Sequence, residues 1–386
     1  MYKRQMQTEL KALANEFRIV TVLGPRQAGK TTLCKTTFPD YQYISLEDPD
    51  TRLYATEDPR GFLNEYQRYV IFDEVQRVPQ LLSYLQTIVD NEPLKGQFIL
   101  TGSHQLELSQ AISQSLAGRT AQLTLLPLSL QELNQDPVKS KNDINETLLQ
   151  GFMPGKHADE MSAARYYRSY FQTYVERDVR LIINIKDSNI FEKFIRLCAG
   201  RVGQLLNQAS LANDIGVSAN TINEWISVLE ASFIIYRLQP YYANIGKRLI
   251  KSPKLYFIDT GLAAWLLGIE TATQMQRDPL RGNLFENLII TDILKSKLNQ
   301  GKDPRMYFYR DSHGNEVDLV IQHGNSLIPI EIKSSQTWHS SFLKGITYFK
   351  KLIGDKAEKG TVIYAGDTGR NTREYSLESY KTFKSL

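Results

Sequence analysis

Over the first 130 residues, short runs of β-branched and aromatic positions alternate with stretches of helical spacing. Arg18 to Leu23, Tyr43 to Leu46, Tyr69 to Phe72, Gln97 to Leu100 and Ala121 to Leu126 read as strands. That alternation predicts a parallel α/β sheet. A polar stretch from Gln135 to Glu146 and then Gly151-Phe152-Met153-Pro154-Gly155 mark the exit from a first domain. Helical periodicity dominates from Met161 to about Glu230, and strand-like runs return at Tyr307–Phe308, Val317–Gln322 and Ile328–Ile332. The longest unbroken apolar stretch, Leu262 to Ile269, falls far short of the roughly 18 to 20 residues that span a bilayer.

Composition narrows the picture. A chain of 386 residues with 42% hydrophobic and 23% charged positions predicts two or three globular domains without a membrane segment. Cys34 and Cys198 are too few for a disulfide framework or a structural zinc site. His104, His157, His313, His323 and His339 lack ligand spacing. A soluble, cytoplasmic protein is expected. The net charge of +4 is unevenly spread: Arg196 to Leu255 holds seven basic and three acidic residues, leaving the rest balanced. That segment points to a polyanionic partner.

Directly after the first strand stands Gly24-Pro25-Arg26-Gln27-Ala28-Gly29-Lys30-Thr31, followed by Thr32. The glycines let consecutive N–H groups turn toward a β-phosphate, Lys30 brings charge to the β/γ oxygens, and Thr31 suits magnesium. The following helix aims its positive end at the anion. Further on, the apolar run Tyr69 to Phe72 ends in Asp73-Glu74, a magnesium carboxylate beside a candidate general base. The next strand ends in Thr101-Gly102-Ser103, whose hydroxyls suit sensing of a γ-phosphate.

Gly24 to Thr32, Phe72-Asp73-Glu74, Thr101/Ser103 and Leu116-Ala117-Gly118-Arg119 resemble the AAA-type ATPase module of prokaryotic proteins that carry a C-terminal domain of unknown function. The resemblance implies an ATP-hydrolysing, magnesium-using core that completes its site across a homo-oligomer. Arg119 is then the candidate to reach a neighbour's γ-phosphate.

From Ser210 the chain reads as a helix closing at Gly216 and a second opening at Ser218, with Leu211, Ile215, Val217, Ile222, Ile226 and Leu229 spaced for a shared core. The strand-like Ile234 to Leu238 and the basic Lys247-Arg248-Leu249-Ile250-Lys251-Ser252-Pro253-Lys254 complete a winged helix-turn-helix. Asn220, Thr221, Lys247, Arg248, Lys251 and Lys254 are its candidate DNA contacts. The second helix offers no Lys or Arg for guanine, so backbone binding is expected more than base reading.

Near the C-terminus, Glu286 lies amid an apolar helical face formed by Ile289, Ile290 and Ile293, a costly place for an unpaired carboxylate. Alternation puts Glu316 and Asp318 on one strand face and Glu331 and Lys333 on one face of the next. A hairpin turning at Gly324-Asn325 sets Asp318 opposite Glu331 and Glu316 opposite Lys333. Two facing carboxylates invite a divalent cation between them, with a lysine at hand to activate water. An acid on a helix followed by D…E-x-K on a hairpin resembles the PD-(D/E)XK nuclease-like fold. That likeness implies Glu286, Asp318, Glu331 and Lys333 as catalytic, with Asp318 and Glu331 on the metal.

The expected architecture is α/β throughout: an AAA-type P-loop ATPase (1–130), a helical linker (131–195), a winged helix (196–254) and a nuclease-like α/β domain (255–386). Two functions fit it. One couples ATP turnover to DNA binding or magnesium-dependent processing. The other is an ATP-driven switch for a protein partner, with a silent nuclease-like domain.

Overall fold

The computed structural model describes residues 2–92, 94–103, 115–135, 143–183, 185, 187–241 and 251–383. Five strands, β1 (Ile19–Leu23), β2 (Gln42–Ser45), β3 (Val70–Asp73), β4 (Phe98–Gly102) and β5 (Thr120–Thr124), pair in the order β2-β3-β4-β1-β5, every pair parallel. The α/β expectation for this half holds, and each expected strand is present. β1, β3 and β4 are buried along their whole length, as unbroken apolar runs demand of strands covered on both faces. Ile19 and Leu23 of β1 join one apolar cluster, whereas Val20 and Val22 join another on the opposite face.

Helix α1 (Lys30–Thr37) starts at the end of the loop that follows β1. In the middle of the chain, α2 (Gln208–Ile215) ends at Gly216, and α3 (Ala219–Ala231) is capped by Ser218, whose hydroxyl accepts the Thr221 N–H. Leu211, Ile222, Ile226 and Leu229 are buried together, as their spacing requires.

A second sheet of eight strands runs β12-β13-β11-β10-β9-β8-β6-β7. Its members are β6 (Ile235–Pro240), β7 (Lys254–Phe257), β8 (Met306–Arg310), β9 (Glu316–His323), β10 (Ser326–Lys333), β11 (Gly360–Tyr364), β12 (Arg370–Asn371) and β13 (Tyr375–Ser379). β6 and β7 form the antiparallel hairpin expected of a wing, but β6 also pairs with β8, so the hairpin is an arm of the C-terminal sheet. The β9–β10 hairpin has the expected register, from His323 opposite Ser326 to Leu319 opposite Ile330.

Between the two sheets lies α4 (Arg281–Asn299), buried over most of its length. Its polar side chains pin the halves together: Asp292 accepts the Leu130 N–H at 2.6 Å and Lys295 donates to the Leu128 carbonyl at 3.1 Å. One apolar cluster runs from Ile19 to Tyr380 through both sheets. Helix α5 (Lys344–Ile353) packs on β9 and β10. No helix among the described residues is long and apolar enough to cross a membrane.

Candidate functional site

The strand order creates the first site. β4 lies between β1 and β3, so its last residues stand between the phosphate loop and the acids of β3. Gly24 opens the loop with φ 152°, and a Cβ there would lie 2.0 Å from the Leu125 carbonyl oxygen. Only glycine fits so close an approach. Lys30 is buried and donates to the Gly24 and Pro25 carbonyls at 3.0 Å each. Burial pulls its pKa down, against the carboxylates of Glu74 and Asp73.

Asp73 is held by neutral donors. Thr31 Oγ1 lies 3.0 Å from both of its oxygens, Tyr43 donates at 2.8 Å, and Thr101 Oγ1 donates to Oδ1. Thr101 also accepts the Glu74 N–H at 3.1 Å. Glu74 has left-handed backbone, φ 58° and ψ 47°, a conformation that costs a non-glycine residue about 1 to 3 kcal/mol and clusters at functional sites. The turn brings its carboxylate to Ser103 Oγ at 2.9 Å, to Gln76 Nε2, and to 3.9 Å from Lys30 Nζ. Burial pushes the Glu74 pKa up, but Lys30, Ser103 and Gln76 together hold it below the usual value.

Lys30, Thr31, Asp73 and Glu74 face a cavity of about 820 Å³ lined also by Arg26, Gln27, Gly29, Thr32 and residues from the middle of the chain, among them Pro154 and Tyr166. Tyr166 OH donates to Gln27 Oε1 at 2.6 Å, and Arg26 reaches Asp178 at 3.1 Å. Behind the loop, buried Arg4 donates to the Ala28 carbonyl at 2.7 Å and to the Leu126 carbonyl at 2.6 Å, and pairs with Glu132. Sequence reasoning missed Arg4, Tyr43, Gln76, Tyr166 and Asp178. None lies in a motif; Gln76 reaches Glu74 from within the same turn, and the other four reach the site only through the tertiary fold.

Arg119 precedes β5, level with Arg18, at the end of the sheet opposite its own phosphate loop. It makes a two-point pair with Asp90 at 2.7 Å, and Arg18 holds the same carboxylate at 3.2 Å.

The second set of expected residues also comes together. Lys333 Nζ contacts Asp318 Oδ2 at 2.8 Å and Glu331 Oε2 at 2.5 Å, in the place where a divalent cation was expected. Glu286 on α4 accepts from Tyr256 OH at 2.6 Å and Lys254 Nζ at 2.9 Å, and Lys254 also reaches Glu316 at 2.5 Å. Glu316 pairs with Lys254 and Arg310. Among the described residues, no group of three or more His, Cys, Asp or Glu is placed to hold a metal ion. Burial pushes the Glu331 pKa up to about 9, with the Asp318 charge adding to it. Burial also raises Glu286, whereas Asp318, facing Lys333 and Lys254, is held low despite its burial.

Lys254 therefore corrects an expectation. Its side chain is 4% exposed and turned to carboxylates, so it is not presented to DNA. Lys251 and Asn220 are exposed, and Thr221 is half-buried at the α3 cap. Lys247 and Arg248 lie outside the described residues.

A parallel sheet with a phosphate loop after an inner strand, acids at the end of β3 and hydroxyls at the end of β4 define a P-loop nucleotide-binding domain. Residues 16–134 match the family model of an AAA domain, which supports that assignment. Residues 141–273 and 281–381 match two models, each described as a domain of unknown function (DUF8612 and DUF4143). The chain is 29% identical over 342 residues to an uncharacterized protein of Mycobacterium tuberculosis, covering 87% of this chain and 74% of that one. An uncharacterized protein of Haemophilus influenzae is 26% identical over 308 residues, covering 76% and 72%. Among solved structures, the Walker-type ATPase PABY2304 of Pyrococcus abyssi matches with TM-score 0.43 and 14% identity, over 69% of this chain and 96% of that one. AMPPCP-bound DnaA from Aquifex aeolicus matches with TM-score 0.26 and 17% identity, over 58% and 85%.

Proposed function

We propose that the chain hydrolyses ATP with magnesium and couples that turnover to DNA bound by its middle segment. The observation that carries the ATPase part is the network Thr31–Asp73–Thr101 and Glu74–Ser103–Gln76, of which Thr31, Asp73 and Glu74 line the cavity with Lys30. Magnesium fits that lining: Asp73 is a buried hard-oxygen donor held only by hydroxyls, which can yield to an ion, and Thr31 stands beside it. When held by Thr31 and Asp73, it supplies charge compensation to the β/γ-phosphates. The loop N–H groups and Lys30 bind and orient the phosphates. Glu74, kept ionised at neutral pH by Lys30 and its hydrogen-bond donors, orients the attacking water and takes its proton. Ser103, bonded to Glu74, ties the state of the acid to β4. Arg119 acts in trans in a homo-oligomer.

The DNA part rests on Lys247, Arg248 and Lys251 of the basic run in the sequence and on the exposed face of α3 at Asn220. Phosphate release by the wild type, Lys30→Ala and Glu74→Gln, with and without DNA, tests both parts. Lys30→Ala is expected to lose turnover. A rate indifferent to any DNA, together with no retarded complex in a shift assay, would sink the coupling while leaving the ATPase standing. Charge reversal at Lys247 and Arg248 is expected to weaken the complex. A second reading, a protein-binding switch with a silent nuclease-like domain, is favoured by the lysine pairing of the C-terminal acids.

A further inference from the structure

Four acids converge at the edge of α4 and the β9–β10 hairpin, and each meets a lysine. Lys254 is no mobile surface side chain. Its backbone pairs with Leu238 of β6 on one side and bridges to Leu205 on the other, and its ammonium lies 5.6 Å from the centroid of the Phe308 ring. That anchoring delivers the ammonium between Glu286 and Glu316, with Asp318 close enough to act on its charge. Burial alone would pull the Lys254 pKa down, but these three carboxylates outweigh it and hold the group charged. A buried ammonium is costly unless paired, and here the acids supply the pairing.

On the other side of the cluster, Lys333 spans Asp318 and Glu331, and the Ile332 N–H donates to the same Asp318 oxygen at 2.8 Å. Helix α5 closes over Glu331: a Cβ at Gly345 would lie 2.0 Å from Glu331 Oε1. A divalent ion entering between Glu286, Glu316 and Asp318 would therefore have to share their oxygens with two ammonium groups already in contact, Lys254 on the glutamates and Lys333 on Asp318.

We propose that the ammonium of Lys254 is the resident cation of Glu286 and Glu316, as that of Lys333 is of Asp318 and Glu331, so that the cluster as folded takes no divalent metal. The cluster is then an ionic clasp that fastens the β6–β7 arm to α4 and β9. This goes beyond the ATPase reading and does not depend on it.

Tyr256, bonded to Glu286, provides the probe, because a terbium ion bound at the cluster would luminesce on tyrosine excitation. The full chain is titrated with Tb³⁺ as wild type and Asp318→Ala. Any signal from the phosphate-loop acids is common to both and cancels between them. Superimposable wild-type and Asp318→Ala curves support the proposal; a wild-type signal that Asp318→Ala removes overturns it. Folded Lys254→Met is expected to unfold at lower urea than the wild type, and an unchanged midpoint overturns the proposal. Should Lys254→Met fail to fold, Lys254→Gln is read in the same way, and the wild-type pair decides without either. ATP turnover measured in the same preparations keeps a failure here distinct from a failure of the ATPase reading.

Discussion

Asp73 and Glu74 on one side, and the C-terminal acids on the other, are held in opposite ways. Asp73 is held by the hydroxyls of Thr31, Tyr43 and Thr101, and Glu74 by Ser103 and Gln76, with Lys30 3.9 Å away. Glu286, Glu316, Asp318 and Glu331 are held by ammonium groups in direct contact. Hydroxyls and amides satisfy a carboxylate without neutralising it, so the first pair keeps charge to spend on a cation, a water or a phosphate. Lysines cancel the charge they satisfy. The lesson is that four acids at the right spacing specify a metal site only if their counter-charge is left for the metal to supply.

The sharpest break of that comparison is at Glu74. Glu74→Gln keeps the size and the hydrogen-bonding of the side chain but cannot take a proton, so ATP turnover is expected to fall about 10²- to 10⁴-fold with ATP binding retained. Steady-state phosphate release beside nucleotide binding checks this, and near-normal turnover would move the base elsewhere. At the second site the expected loss is stability. Lys254→Met leaves Glu286 and Glu316 without their shared cation, which should cost about 3 to 5 kcal/mol in urea unfolding. Adding Glu286→Gln should recover part of that loss, because one of the stranded charges goes with it. If the double variant is no more stable than the single, the clasp is not electrostatic.

A third test probes the joint between the two regions. Asp292 is buried on α4 against Leu130, and burial raises its pKa from 3.8 to about 6. For a carboxylate raised in the folded state, the native form keeps a proton that the unfolded chain has lost. Its contribution to stability is thus present below the unfolded value and is lost as pH rises from about 4 to 6. The shift corresponds to about 2 to 3 kcal/mol. Asp292→Asn still accepts the Leu130 N–H but does not titrate, so the wild-type and variant stability curves should diverge across that window and run parallel above it. Parallel curves throughout would show that Asp292 titrates normally.

Much of this was legible in the sequence because it is local. The phosphate loop, the β3 acids and the β4 hydroxyls are defined by spacing along single strands and turns, and the β9–β10 register follows from one two-residue turn. The grouping of Glu286, Asp318, Glu331 and Lys333 could likewise be reached from a helix pattern and a hairpin. Lys254 could not. It sits in a basic run that reads as solvent-facing, and only the pairing of β6 with both β7 and β8 turns it into the acids. Arg4 and Asp178 were hidden for the same reason, since they meet the loop across 24 and 152 positions of chain.

The smallest expected effect is at Thr101, and it tests whether the first site depends on hydroxyl chemistry as the comparison claims. Its Oγ1 donates to Asp73 and accepts the Glu74 N–H at the residue whose backbone is left-handed. Thr101→Val keeps the shape but strands a buried N–H and removes one donor from Asp73, a loss of about 1 to 3 kcal/mol. Thr101→Ser keeps both bonds and loses only a methyl group. Turnover in Thr101→Val should therefore fall about tenfold, with Thr101→Ser close to wild type. If valine and serine behave alike, the hydroxyl is a packing element, and Asp73 and Glu74 are placed by the strand ends alone.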